Sequence, residues 1–236
     1  MWVGPFADEE LFRESGERMI RTLVDLCGLG SDEHVLEVGC GCGRLALALA
    51  KRLGPAGHYE GFDVARPLID WCRANLEPVL PSFRFRLVDV VAPAHSPGGA
   101  VAASDFRFPY ENEVFDVAIV ASVFTHMLSD GIENYVAEAA RVLKPGARFF
   151  ATLFLFDAPA AVAVAEATTI FDFRHRIGPC IAFDVAHPEE GIACDEDWML
   201  GLLHRCGLLV DQVHRGDWRA VRSYTISQDI IVARKS

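Results

Sequence analysis

The densest chemistry in the chain lies in Val35-Leu36-Glu37-Val38-Gly39-Cys40-Gly41-Cys42-Gly43, where an apolar run ends in alternating glycines. Glycine is needed where φ is positive or where a ligand lies against bare backbone. A dinucleotide site would read Gly-x-Gly-x-x-Gly, the third glycine letting a helix pack beneath a pyrophosphate. Here the spacing is Gly-x-Gly-x-Gly, and Glu37 stands two residues ahead of Gly39. A carboxylate there repels a pyrophosphate and suits an ammonium group. Asp63 follows roughly 20 residues later, where an acid accepts hydrogen bonds from two ribose hydroxyls. Asp89 closes the next apolar segment, in a position to accept from the exocyclic amine of adenine. Three successive segment ends thus offer an amine site, a ribose site and an adenine site.

Those three acids need strands to carry them to one edge. His34–Val38, His58–Asp63 and Phe83–Val90 read as short apolar or alternating strands. Between them, Arg44–Leu53 reads as a mostly buried helix with a basic last turn, and Pro67 opens a second helix that runs to about Leu76. Asp8 caps a leading helix to about Cys27, its core face expected at Leu11, Met19, Leu23 and Leu26, with Gly28 and Gly30 as stops. Further on, Val114–Ala121 is a strand, Asp130–Leu143 a helix and Ala147–Phe156 a strand. Such alternation implies a parallel sheet covered on both faces, with ligands at the carboxyl edge. Ala92–Tyr110 holds Pro93, Pro97, Gly98, Gly99 and Pro109 and reads as a long loop with a task. The last third is less regular: a helix at Ala158–Ala167, no clear period over Ile170–Cys194, a helix from Asp195 to Cys206, and closing strands at Leu208–Val213 and Asp229–Ala233.

Composition narrows the function. The 22 Lys and Arg against 33 Asp and Glu leave 236 residues at a formal charge of −11, which disfavours sequence-independent nucleic-acid binding. The longest apolar stretches, Leu45–Ala50 and Phe149–Phe156 with its single polar Thr152, fall far short of the roughly 18 residues of a membrane span. The acidic N-terminal stretch lacks the basic and apolar regions of a signal peptide. Seven cysteines without regular spacing do not form a disulfide framework, and a reducing, cytoplasmic setting is expected. Cys40 and Cys42 lack a partner pair for a metal, so they read as small turn residues and no metal site is expected. Arg174, His175 and Arg176 read as a solvated charge cluster ahead of a contact for an acidic acceptor.

The chain resembles the class I S-adenosylmethionine-dependent methyltransferases, and among them small bacterial members carrying Gly39–Arg44 as Gly-Cys-Gly-Cys-Gly-Arg. The resemblance also rests on Gly61-Phe62-Asp63, Trp71-Cys72, Phe108-Pro109-Tyr110, Phe115-Asp116, Ser122–Met127 and Arg141–Gly146, all in order. It implies an α/β, Rossmann-like fold: a seven-stranded, mostly parallel sheet with helices on both faces and the last strand, near Asp229–Ala233, antiparallel. It implies one domain over residues 1–236, with 1–30 as a helical cover and 91–110 and 157–194 as variable substrate-side segments. Carried over by position, the backbone of Gly39 and Gly41 passes under the methionyl part of S-adenosylmethionine, with Glu37 near its ammonium group. Asp63 holds the ribose, Asp89 and the Val90 N–H read adenine, Ser122 lines the sulfonium end, and Gly16 covers the methionine tail. Asp105 competes with Asp89 for the adenine role.

The reaction implied is methyl transfer to a small-molecule acceptor, a hydroxyl of a sugar or secondary metabolite, by in-line displacement without a metal. A hydroxyl must lose its proton, and His126 is the candidate base, with a packed, helix-capping histidine as the competing reading. Other readings stay open: methylation of nitrogen, carboxylate or a carrier-bound intermediate, a non-catalytic cofactor-binding subunit, and a nicotinamide oxidoreductase disfavoured by the glycine spacing. Trp218, Gln228 and Asp229 suit a turn and strand edge as well as a substrate pocket. Oligomeric state is not legible.

Overall fold

The computed structural model describes residues 8–93, 96–169, 171–219 and 228–236. Helix α1 (Glu9–Cys27) starts where the Asp8 side chain accepts the Glu10 N–H, and it stops at Gly28, whose φ of 63° no β-carbon hinders. Its buried line is Gly16, Ile20, Leu23 and Cys27, whereas Leu11 is half-exposed, so the expected core face is corrected by a rotation around the axis. Strand β1 (His34–Val38) leads into α2 (Arg44–Leu49), β2 (His58–Asp63), α3 (Arg66–Asn75) and β3 (Phe83–Leu87). Helix α2 is shorter than expected because its last residues tighten: Lys51 and Arg52 donate to the carbonyls three residues back, at Ala48 and Leu49. Then come β4 (Phe115–Ala121), α4 (Ser129–Val142), β5 (Leu143–Phe156) and α5 (Ala158–Ala165). The last third holds β6 (His175–Ile177), β7 (Cys180–Ala182), β8 (Ile192–Asp195), α6 (Glu196–Arg205), β9 (Leu208–His214) and β10 (Asp229–Lys235).

The main sheet runs β3-β2-β1-β4-β5-β10-β9, parallel from β3 to β5, with β10 antiparallel to both of its neighbours. This is the expected Rossmann-like α/β architecture, including the antiparallel last strand. Side chains alternate between two apolar layers. Leu36, Val38, Ala118, Val120 and Phe149 pack with α4 and α6, while Val35, Val117, Ile119 and Phe150 pack with α1, α2 and α3. Burial on both faces explains why β4 and β5 read as nearly continuous apolar runs. Three strands that the sequence did not predict, β8, β7 and β6, extend the sheet past the end of β4, pairing with the last residues of β5, Phe154–Phe156. All seven cysteines are free. Among the described residues no helix is long and apolar enough to cross a membrane.

Candidate functional site

The strand order reverses between β1 and β4, and the carboxyl ends there enclose a cavity of about 370 Å³. That volume is within the range of small-molecule sites. The turn after β1 forms its floor. Gly39 and Gly41 have φ of 72° and 54°, and the N–H groups of Gly39 and Cys40 both donate to the Phe62 carbonyl of β2 at 2.9 and 3.0 Å. A β-carbon on Gly39 would come within 2.6 Å of Val123 Cγ2, whereas one on Gly41 would meet nothing within 4 Å. Bare backbone at Gly41 therefore faces open space.

Asp63 ties the turn to the next strand end and lines the cavity. Its Oδ2 accepts the Gly41 N–H and its Oδ1 the Ala65 N–H, each at 2.8 Å. A carboxylate has about four acceptor positions, so both oxygens retain one for a ligand hydroxyl. Glu37 lies beneath the turn and outside the cavity lining, 4% exposed, with the Tyr59 hydroxyl donating to Oε2 at 2.5 Å. Burial pushes its carboxyl up to about 8, against the lowering effects of the Tyr59 bond and the Arg44 charge.

Past β3, the chain makes a second wall. Val90 lines the cavity and bridges to Val101, through Val91 N–H to the Val101 carbonyl and Val101 N–H to the Asp89 carbonyl. The loop can fold back this closely because residue 99 is glycine; a β-carbon there would be 2.4 Å from the Val90 main chain. The return brings Ala102, Ala103 and Ser104 onto the wall. Asp89 is exposed, takes the Ala100 N–H on Oδ1 at 3.2 Å, and does not line the cavity; nor does Asp105, which is also exposed. Gly16 is likewise remote from the lining: it marks where α1 crosses α2, and a β-carbon would sit 2.7 Å from the Arg44 carbonyl.

The end of β4 forms the opposite wall. Ser122 has φ of 61°, rare for a residue with a side chain, and is held there by its N–H donating to the Thr152 carbonyl and hydroxyl. Its hydroxyl donates to Gln228 Oε1 at 2.9 Å. A single helical turn, Phe124–His126, follows, fixed by Thr125 Oγ1 donating to the Ser122 carbonyl. Thr125 is buried while His126 is exposed to the cavity, and the His126 Nδ1 lies 2.8 Å from the main-chain carbonyl of Glu189. This is not a packed, helix-capping histidine. Asp63, Asp130 and Glu189 line the cavity, and no Lys or Arg does among the described residues.

Residues 35–146 match the methyltransferase domain family. Among curated relatives, methyltransferase GfsG of Streptomyces halstedii is 28% identical over 149 residues, covering 62% of this chain and 46% of that protein. Nocamycin O-methyltransferase of Saccharothrix syringae is 31% identical over 129 residues, covering 54% of this chain and 40% of the relative. The chain thus spans less than half the length of either. Among solved structures, 1,6-didemethyltoxoflavin-N1-methyltransferase of Burkholderia thailandensis, with bound S-adenosylhomocysteine, superposes with a TM-score of 0.60 at 18% identity, over 97% of this chain and 80% of that one. The fold is that of S-adenosylmethionine-dependent methyltransferases, whose cofactor is S-adenosylmethionine. The residues present fit that cofactor: open backbone at Gly41, spare acceptor positions on Asp63, and an acidic lining that suits a sulfonium and an ammonium and opposes a pyrophosphate.

The cavity brings together Gly39, Asp63, Val90, Ser122 and His126, and leaves Gly16, Glu37, Gly41, Asp89 and Asp105 outside its lining. Ser104, Asp130, Tyr135 and Glu189 line it without having been singled out from the sequence. Thr152 did carry a signal, as the one polar residue in the apolar run Phe149–Phe156. Glu189 carried none, since it lies in the segment without periodicity. Arg174 and Arg176 pair with Asp172 and Asp195 away from the cavity, as a solvated cluster would.

Proposed function

We propose that this protein methylates a hydroxyl of a small neutral molecule, such as a sugar or secondary metabolite, using S-adenosylmethionine. The observation that carries the reading is that Gly39, Asp63 and His126 line one cavity. The cofactor supplies an electrophilic methyl group when bound. Asp63 holds the ribose hydroxyls, Glu37 lies under the ammonium group, and Ser122 borders the sulfonium end. The Val90 N–H, which the Val90–Val101 bridge leaves unused, is assigned to adenine, with the neighbouring Asp89 carboxylate taking the exocyclic amine. His126 takes the acceptor's proton as its oxygen attacks, so that a neutral hydroxyl becomes a competent nucleophile. Glu189 and Asp130, which line the same cavity, disfavour a carboxylate acceptor by like-charge repulsion.

The test is turnover with S-adenosylmethionine over a panel of hydroxylated, amine and carboxylate acceptors, with products identified by mass spectrometry and NMR. O-methyl products, lost in His126→Asn, support the reading. Products methylated only on nitrogen or carboxylate, or full turnover by His126→Asn, contradict it.

A further inference from the structure

We infer that the β6–β8 extension is a positioning device for the reaction: the main-chain carbonyl of Glu189 fixes the tautomer of His126, and Gly191 fixes that carbonyl. The inference rests on His126 being the base, as proposed above.

The placement follows from the alternation along β5. Leu155 sends its N–H to Asp229 Oδ2 and its carbonyl to Arg219, so odd residues here face the β10 edge. Thr152 receives the Ser122 N–H, so even residues face the β4 edge. Strand β4 ends at Ala121, opposite Thr152, and β8 pairs with Phe154–Phe156 from there on. The extension therefore continues the β4 edge past the end of β4. Its β7–β8 connection comes down on the cavity, where the turn Pro188–Glu190 meets the turn Phe124–His126.

A carbonyl oxygen can only accept. At 2.8 Å the contact therefore puts the proton of a neutral imidazole on Nδ1 and leaves Nε2 as a bare lone pair. The nature of the partner also matters. A carboxylate in its place would stabilise the imidazolium and retain the abstracted proton, whereas a neutral carbonyl orients the ring and lets the proton leave after each turnover.

Gly191 holds the carbonyl in register. Phe183 N–H donates to the Gly191 carbonyl at 3.1 Å, and the Phe183 ring lies so close over Gly191 that a β-carbon would fall 1.9 Å from it. The ring has little room to give way, being stacked on Phe173 and Phe171 with centroids 4.3 and 5.7 Å away. A side chain at residue 191 must displace the hairpin end, and Glu189 with it.

The experiment combines histidine ¹⁵N NMR on the cofactor-free protein with steady-state pH profiles, His126 being assigned by its loss in His126→Asn. The expected wild-type spectrum has neutral His126 protonated on Nδ1. Gly191→Ala should lose that tautomer preference and at least tenfold in kcat with S-adenosylmethionine affinity unchanged. Adding Phe183→Ala removes the clash and should restore both. Protonation on Nε2 in the wild type, or Gly191→Ala with wild-type kcat and pH profile, would overturn the inference. An Nδ1-protonated His126 whose Asn variant still turns over normally would overturn the base assignment beneath it, and is distinguished by the intact spectrum.

Discussion

Glu37 makes a quantitative test of the site's interior, because it is an acid buried beneath the glycine turn. Its carboxyl is raised from an ordinary 4.5 to about 8, chiefly by burial. The folded chain therefore holds this proton more tightly than the unfolded chain. Between the two values the folded state binds more protons, so this residue's contribution to stability is fully present below about pH 4.5 and declines as pH rises to about 8. Each pH unit in that window is worth about 1.4 kcal/mol, which gives about 3.4 kcal/mol at pH 7 and an upper bound of about 5 kcal/mol beyond pH 8. Glu37→Gln removes the ionisation and keeps an oxygen for the Tyr59 hydroxyl. The variant should therefore be more stable than the wild type at neutral pH. Urea unfolding of both proteins without cofactor, from about pH 5 to about pH 8, should show a gap that widens by about 1.4 kcal/mol per unit. The same variant should bind S-adenosylmethionine more weakly, since an amide cannot offset an ammonium charge. A stability gap that stays flat or narrows as pH rises would refute the reasoning.

Three further outcomes follow from the geometry. Asp63→Ala should weaken S-adenosylmethionine binding at least tenfold in calorimetry while circular dichroism stays native; unchanged affinity in a folded variant removes the ribose assignment. Gly16→Ala should lower unfolding free energy by about 1–3 kcal/mol, because its β-carbon must push α1 away from the Arg44 carbonyl, with cofactor affinity retained. A selective loss of affinity would instead return Gly16 to the cofactor. Asp229→Ala should lose about 3–5 kcal/mol in urea unfolding, since Asp229 is fully buried and accepts from Leu155, Gly216, Trp218 and Arg219; a loss below about 1 kcal/mol would show the network to be dispensable.

The strands that carry the site were legible because each combines an apolar run with a hard stop. His34–Val38 ends at Gly39 and His58–Asp63 at the bend that Asp63 itself bonds, and both came out at the expected residues. Strand β3 fell short at Leu87 because β2 ends opposite it at Asp63 and the chain beyond turns to its own loop, the Asp89 carbonyl and the Val91 N–H both bonding Val101, a pairing that alternation alone does not reveal. The extension was missed for a different reason. Cys180–Ala182 and Ile192–Asp195 are too short to show a period, although two apolar triplets flanking a polar loop are a hairpin signal in hindsight. Gly16 was expected at the cofactor from the family resemblance alone; the structure adds a packing demand at the same glycine, the crossing of α1 over the Arg44 carbonyl, which the sequence did not reveal. Whether Asp89 or Asp105 stands nearer the cavity could not be read from sequence order, because the return at Gly99 places Val90 and Ser104 on the wall and both carboxylates outside the lining. Sequence order located the segment ends, and only the folded loop decided which side chains face inward.

Calorimetric titration with S-adenosylmethionine and S-adenosylhomocysteine, with NADH as the control, tests the central claim most directly. Micromolar binding of the first two, no binding of NADH, and loss of affinity in Asp63→Ala are the predicted results. Folded protein that binds neither sulfur compound, or that binds NADH in their place, would contradict it.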